Sequence, residues 1–320
     1  MRVALVTGGS GYLGSHLGKA LKKAGYFTVC FDIKTPQSDV YWDVYYPGDI
    51  RSYQDLSRVF TNWTPDIVFH LAGRIEVGES VAHPEEFWDV NVAGTCNLLN
   101  FIRKHDVKNI VYSSTAGLYH SQFTTLSEKS QVGNNNPYAN SKYAAECAIR
   151  DSKVNHIIFR FFNLSGADPD CEMGEMHEPE THLIPLMFKS LNNNEKFIIN
   201  GNDYNTIDGT CIRDYVHVSD VADAHVLADN YLQTKYESQP TLFNLGLGKG
   251  YSNLQVISTA MSELKIDIKY QIGSRRDGDP PRLVANVDLV KQHLNFKPKH
   301  NLNSILKTAF NWHEYQRQID

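Results

Sequence analysis

Apolar residues follow two rhythms along this 320-residue chain. In the first, nearly every position of a short run is apolar: Arg2-Val3-Ala4-Leu5-Val6-Thr7, Tyr26-Phe27-Thr28-Val29-Cys30-Phe31-Asp32, residues 65–73 and residues 109–115. Such runs predict strands buried on both faces. In the second, Leu13, Leu17 and Leu21 recur every four residues, and the stretch around 91–104 carries a similar stripe, which predicts helices between the strands. Alternating strand and helix predicts an α/β fold with a doubly wound parallel sheet, Rossmann-like, followed by a smaller α/β domain. Ligands of such sheets bind beyond the carboxyl ends of the strands. The glycine turn after the first strand, Asp32, Ala72-Gly73 and Ser113-Ser114-Thr115 are therefore expected around one crevice.

Composition narrows the class of function. A hydrophobic fraction of 42% over this length is enough for a sizeable core, which argues against disorder. The formal net charge of −5, without any Lys/Arg-rich block, offers no global attraction to nucleic acid or an anionic membrane. Five cysteines, Cys30, Cys96, Cys147, Cys171 and Cys211, include no C-x-x-C pair and read as reduced thiols, so a cytoplasmic location is expected. No run reads as a targeting segment or a membrane span. No internal repeat is seen, and residues 134–136 and 192–194 read as loops.

Two groups of residues carry candidate chemistry. Gly8-Gly9-Ser10-Gly11-Tyr12-Leu13-Gly14 lies between a strand and a helix, where absent Cβ atoms permit a tight turn and the approach of a pyrophosphate to helix N–H groups. Asp32 ends the next strand, placed to bind adenosine ribose hydroxyls. Its carboxylate would repel a 2′-phosphate, so NAD is the expected cofactor, while Lys34 keeps NADP open as an alternative. The second group is Tyr138 and Lys142, four residues apart and on one helix face. A neighbouring cation stabilises a phenolate, which makes the pair a candidate base. By itself the pair also fits an ordinary surface contact.

Taken together with Gly48-Asp49-Ile50, His70-Leu71-Ala72-Gly73, Val77-Gly78-Glu79-Ser80 and Asn91-Val92-Ala93-Gly94-Thr95, the first half resembles the extended short-chain dehydrogenase/reductase superfamily. The second half adds Arg160-Phe161-Phe162-Asn163, Gly201-Asn202-Asp203-Tyr204, residues 208–218 and Arg275-Arg276-Asp277-Gly278-Asp279, in the order and spacing of its UDP-glucose (UDP-galactose) 4-epimerases. The resemblance covers nearly the whole chain. It implies Thr115, Tyr138 and Lys142 as the catalytic set, with Tyr138 taking the proton of the sugar 4-hydroxyl during transient C4 oxidation by tightly held NAD. Cofactor contacts are implied for Gly8, Gly11, Tyr12, Leu13, Gly14, Asp32, Asp49, Ile50, Leu71, Ala72, Gly73, Asn91 and Phe162, besides Tyr138 and Lys142. A UDP-hexose would be held by Thr115, Asn163, His182, Leu183, Ile198, Asn200, Arg213, Arg276, Asp279 and Leu283. The resemblance also implies a homodimer through the helices around 91–104 and 141–153.

Some positions depart from the pattern. Arg74-Ile75 stands where Leu-Lys is usual, His182 where Asn is usual, and Asn200 where an aromatic commonly lies near the uracil. At the pocket gate, Tyr in strict glucose/galactose enzymes and a smaller residue in those that admit N-acetyl sugars, this chain has Leu283, so UDP-N-acetylhexosamines join the expected substrates. Residues 1–164, with 216–246 returning, are expected to hold the cofactor, and 165–215 with 247–320 the nucleotide sugar. Glu172, Glu175, His177, Glu178, Glu180 and His182 match no compact metal motif and read as a polar loop, so no metal is expected. A 4,6-dehydratase would need an acid directly after Thr115, where Ala116-Gly117 stands. UDP-uronate epimerases or decarboxylases and a non-enzymatic NAD sensor remain as alternatives.

Overall fold

The computed structural model describes residues 1–120, 125–133, 135–234, 239–276 and 279–319. Asn134, Asp277 and Gly278 lie outside the described residues. The chain begins with strand β1 (Val3–Thr7), helix α1 (Tyr12–Lys23), β2 (Phe27–Asp32), β3 (Val44–Pro47), α2 (Tyr53–Asn62) and β4 (Ile67–His70). Two short helices, α3 (Val77–Ala82) and α4 (Pro84–Trp88), lead through a π-helical turn (Asp89–Gly94) into α5 (Thr95–Lys104). Next come β5 (Asn109–Thr115), α6 (Pro137–Asp151), β6 (Asn155–Phe161), β7 (Asn163–Ser165), α7 (Leu183–Asn192), β8 (Phe197–Asn200) and β9 (Ile212–His217). The remainder is α8 (Val218–Thr234), β10 (Leu242–Leu245), β11 (Gly250–Ser252), α9 (Asn253–Leu264), β12 (Tyr270–Gly273), β13 (Arg282–Leu283), α10 (Asp288–Leu294) and α11 (Leu302–Ile319).

Seven strands form one parallel sheet in the order β10-β6-β5-β4-β1-β2-β3. Its register explains why the crevice exists. Thr7 pairs with Phe31 on one side and His70 on the other, and His70 pairs with Tyr112, so the carboxyl ends of β1, β2, β4 and β5 reach one rim. Helices cover both faces, as the all-apolar strands require. Leu17 and Leu21 of α1 lie in one core with Val221 and Ala228 of α8, while Leu98 and Ile102 of α5 share the opposite core with Ile149 of α6. β3 is not announced by the apolar pattern of the sequence, because it is an edge strand with no fully buried position.

The smaller part is organised around β9. Its start pairs in parallel with β13 and antiparallel with β11, and its end pairs in parallel with β7. Asp214 ties this hub together: its carboxylate accepts hydrogen bonds from the N–H groups of Leu247 (2.8 Å), Gly248 (2.9 Å) and Ala285 (3.1 Å). β8 pairs with β12 in a separate two-stranded sheet. Ile184, Phe188, Val256, Ile257, Ile305 and Leu306 form the third core, beneath α7, α9 and α11.

Candidate active site

The glycine turn is shaped by close packing. A Cβ on Gly8, whose φ is +76°, would lie 2.6 Å from the Ala72 nitrogen, and one on Gly14 would collide with the Gly8 carbonyl. Leu71 and Ala72 donate their N–H groups to the Thr7 carbonyl, each at 3.0 Å, which fixes that segment against the turn. Gly11 is the N-cap of α1 and supplies no side-chain cap, and the first turn of the helix carries no acidic residue. Helix-end N–H groups are thus left to an anion, as a pyrophosphate site needs. Asp32 closes the other side: its carboxylate accepts from Ser10 N–H and Lys34 N–H, both at 2.9 Å. Burial raises its pKa, against hydrogen bonds that lower it. These features fit a dinucleotide.

Other expected cofactor residues form the walls. Tyr12 donates its hydroxyl to the Gly166 carbonyl at 2.5 Å, Leu13 and Phe162 are buried, and Ile50 packs against Gly94. The Asp49 carboxylate is taken by Arg51. Asn91 is buried, with its polar atoms bonded within the protein. Its Oδ1 accepts from Arg74 N–H (2.8 Å), and its amide donates to the Arg74 carbonyl (3.1 Å) and the Ser141 hydroxyl (2.9 Å). Its polar atoms serve to tie the loop after Gly73 to α6. Arg74 is paired with Glu86 and lies over the Phe87 ring at 5.1 Å.

At the end of β5 the chain turns sharply: the Thr115 hydroxyl accepts from Gly117 N–H at 3.0 Å. Pro137 begins α6, and the Asn136 side chain caps it by accepting from Ala139 N–H at 2.8 Å. This places Tyr138 in the first turn of α6 and Lys142 one turn on. The structure brings Thr115, Tyr138 and Lys142 together, but not with the electrostatics expected from the pair alone. Burial raises the Tyr138 phenol to about 12, the Thr115 hydroxyl pulls it down, and the Glu76 carboxylate adds to the rise. Lys142 does not by itself bring the phenol down. Burial lowers the Lys142 ammonium to about 7, offset in part by Glu146. Its Nζ stands 4.5 Å from the centre of the Tyr112 ring, close to the backbone at Gly73.

Glu146 escaped the sequence reading, although it extends the Tyr138–Lys142 stripe by one more turn. It is fully buried and accepts from Ser114 Oγ (2.5 Å) and from Arg160 Nε (2.8 Å) and Nη2 (2.6 Å), with Arg150 adding a further pair. Replacing it, as Glu146→Gln, leaves the buried Arg160 guanidinium without its counter-charge. The expected loss is about 3–5 kcal/mol in urea unfolding, as for other broken buried pairs.

The expected substrate residues divide. Arg213 and Leu283 are register partners across β9 and β13. Arg213 also donates to the Pro280 carbonyl (2.7 Å) and lies 3.5 Å from Asp279, so these three residues share one wall. Asn163 starts β7 beside Tyr215. Arg276 is exposed, and Asn200 ends β8 next to Gly201, whose Cα side faces Arg275. Ile198, 50% exposed, sits on the separate sheet. His182 is the N-cap residue of α7, directly before Leu183, and its imidazole Nδ1 is hydrogen-bonded to Glu175 at 2.5 Å. Burial would lower its pKa; Glu175 and Glu180 outweigh this and hold it at about 10.

The UDP-glucose 4-epimerase of Rhizobium meliloti is 39% identical over 98% of each chain, and that of Halalkalibacterium halodurans is 40% identical over 97% of this chain and 95% of its own. The solved UDP-glucose 4-epimerase of Bifidobacterium longum, in complex with NAD+ and UDP, superposes with a TM-score of 0.92 at 32% identity, covering 99% of both chains. Residues 4–246, from β1 just past the end of β10, match one family description, and the chain belongs to the NAD dependent epimerase/dehydratase family.

Proposed function

We propose that this protein is an NAD-dependent UDP-hexose 4-epimerase that interconverts UDP-glucose and UDP-galactose. The observation that carries the reading is the placement of Thr115, Tyr138 and Lys142 at the carboxyl edge of the same sheet whose β1–α1 turn presents an uncapped helix N-terminus. Full-length similarity to curated UDP-glucose 4-epimerases supports it. Residues 1–164 with 216–246 hold the cofactor in this reading, and 165–215 with 247–320 receive the nucleotide sugar. When bound, NAD supplies reversible oxidation at the sugar C4.

The chain's own residues handle the proton. Tyr138 Oη takes it from the sugar 4-hydroxyl and returns it after the keto sugar has turned over. Thr115 donates to the phenolate and orients O4. Lys142 holds the nicotinamide ribose and adds positive charge, which the phenol, standing at about 12, requires. Arg213, with Arg276, binds the diphosphate in this reading, and Asp279 the uridine ribose. The helices α5 and α6 form the dimer contact; Tyr143 of α6 is 38% exposed there.

Purified protein given UDP-galactose and a trace of NAD is expected to yield UDP-glucose at constant total sugar, followed by the anomeric and H4 proton resonances. An unchanged spectrum with these sugars would overturn the reading. Leu283, buried opposite Arg213, sets the second specificity. Leu283→Tyr is expected to cut turnover of UDP-N-acetylglucosamine by roughly 10-fold or more while sparing UDP-galactose, as added bulk in a pocket typically costs about 1–3 kcal/mol. Equal losses with both sugars would remove Leu283 from the gate.

A further inference from the structure

Residues 168–182, between β7 and α7, show no metal spacing in linear order, yet the fold gathers Glu175, His177, Glu180 and His182 so that one ligand atom from each lies within 4.8 Å of the others. Both imidazoles turn Nδ1 toward one oxygen of Glu175, His182 at 2.5 Å and His177 at 3.1 Å, while Glu180 lies 3.5 Å from His182 Nδ1 through Oε1 and 4.0 Å from His177 Nδ1 through Oε2. With bonds of about 2.0–2.2 Å, a tetrahedral zinc ion separates its ligand atoms by roughly 3.4 Å. The four distances bracket that value.

A second observation points the same way. The Glu180 side chain is 8% exposed. Its Oε1 accepts from the N–H groups of Thr181 and His182, but its Oε2 makes no hydrogen bond among the described residues and faces His177. Glu175 is also buried, and the cluster contains no guanidinium or ammonium; the nearby Lys19 is committed to Asp168 (2.8 Å) and Glu172 (2.7 Å). Glu175 and Glu180 facing two imidazoles offer the oxygen and nitrogen donors that a divalent transition metal takes, and the proton His182 shares with Glu175 would leave as the ion binds. The cluster is also held in place. Trp312 Nε1 donates to the Glu175 carbonyl at 3.3 Å, and its indole covers Gly174.

We propose that Glu175, His177, Glu180 and His182 bind one divalent transition-metal ion with the coordination chemistry of zinc. Four protein ligands close the shell and leave no open position, so the ion is structural. It staples the loop that lies against α1 through the edge-on contact of His177 with Tyr12 to the start of α7.

The test is metal uptake by the full chain, read independently of turnover. Protein dialysed against EDTA and then titrated with Zn2+ in competition with a chromophoric chelator is expected to take up about one ion per chain and to gain thermal stability. Co2+ in place of zinc should give the visible ligand-field absorption of a four-coordinate site. Glu180→Gln and the double variant His177→Gln/His182→Gln should weaken uptake by roughly 10- to 100-fold or more. Failure of folded wild-type protein to bind one ion, an octahedral Co2+ spectrum, or undiminished uptake by the double variant would each overturn the proposal. Epimerase activity can fail without touching any of these readouts.

Discussion

Tyr138→Phe is expected to lower kcat for UDP-galactose by about 10²–10⁴-fold, the usual contribution of a positioned proton-transfer group. The substitution deletes one oxygen. The aromatic ring keeps its edge-on contact with Phe87, at 6.4 Å between centroids, and α6 keeps its Asn136 cap. Bound NAD and the unfolding midpoint should therefore change little, which separates loss of the base from loss of the fold. KM should also stay close to the wild-type value, because the phenol acts mainly in the transition state. An alkaline limb in the kcat profile of the wild type that persists in Tyr138→Phe would assign that limb to another group. If turnover itself survives the substitution, the proton is carried elsewhere and the catalytic assignment fails.

Lys142→Met should separate activity from stability in opposite directions. Burial lowers the Lys142 pKa from its ordinary 10.5 to about 7. Between those values the unfolded chain binds a proton that the folded chain releases, so stability rises with pH across this window, and below it the folded state bears the full penalty of a buried ammonium. Methionine has similar length and no charge. At pH 7 and below, Lys142→Met is expected to be more stable than wild type by about 2–5 kcal/mol, the gap closing as pH approaches 10. Turnover should fall by roughly 10²–10³-fold, as when other electrostatic contributors are removed. Thermal unfolding across pH 6–10 checks the first part. A variant less stable than wild type at pH 7 would mean that Glu146 compensates the ammonium more fully than burial penalises it.

Fold and site were legible to different depths. The β1–turn–α1 unit, Asp32 at a strand end and the Tyr138–Lys142 face can be read because each depends on residues a few positions apart, where backbone geometry alone sets the spacing. Edge strand β3 was not legible, since its half-exposed residues lack the apolar run that marks the interior strands. Glu146 was overlooked because its partners, Ser114 and Arg160, come from two other strands. The partners of Asn91 are equally hidden from spacing, since Ser141 comes from α6 and Arg74 from the loop after β4.

By itself, then, the sequence determined the parallel α/β architecture, the anion-ready helix N-terminus and the one-turn separation of phenol and ammonium. Only the tertiary structure decided the electrostatics, because a pKa reflects everything packed around a group: burial and Glu76 push the phenol up, while burial pulls the ammonium down. It likewise decided which distant residues meet. Arg213 faces Leu283 through strand register, and Glu175, His177, Glu180 and His182 converge although their order along the chain follows no ligand motif, because a loop clamped at Trp312 folds back on itself.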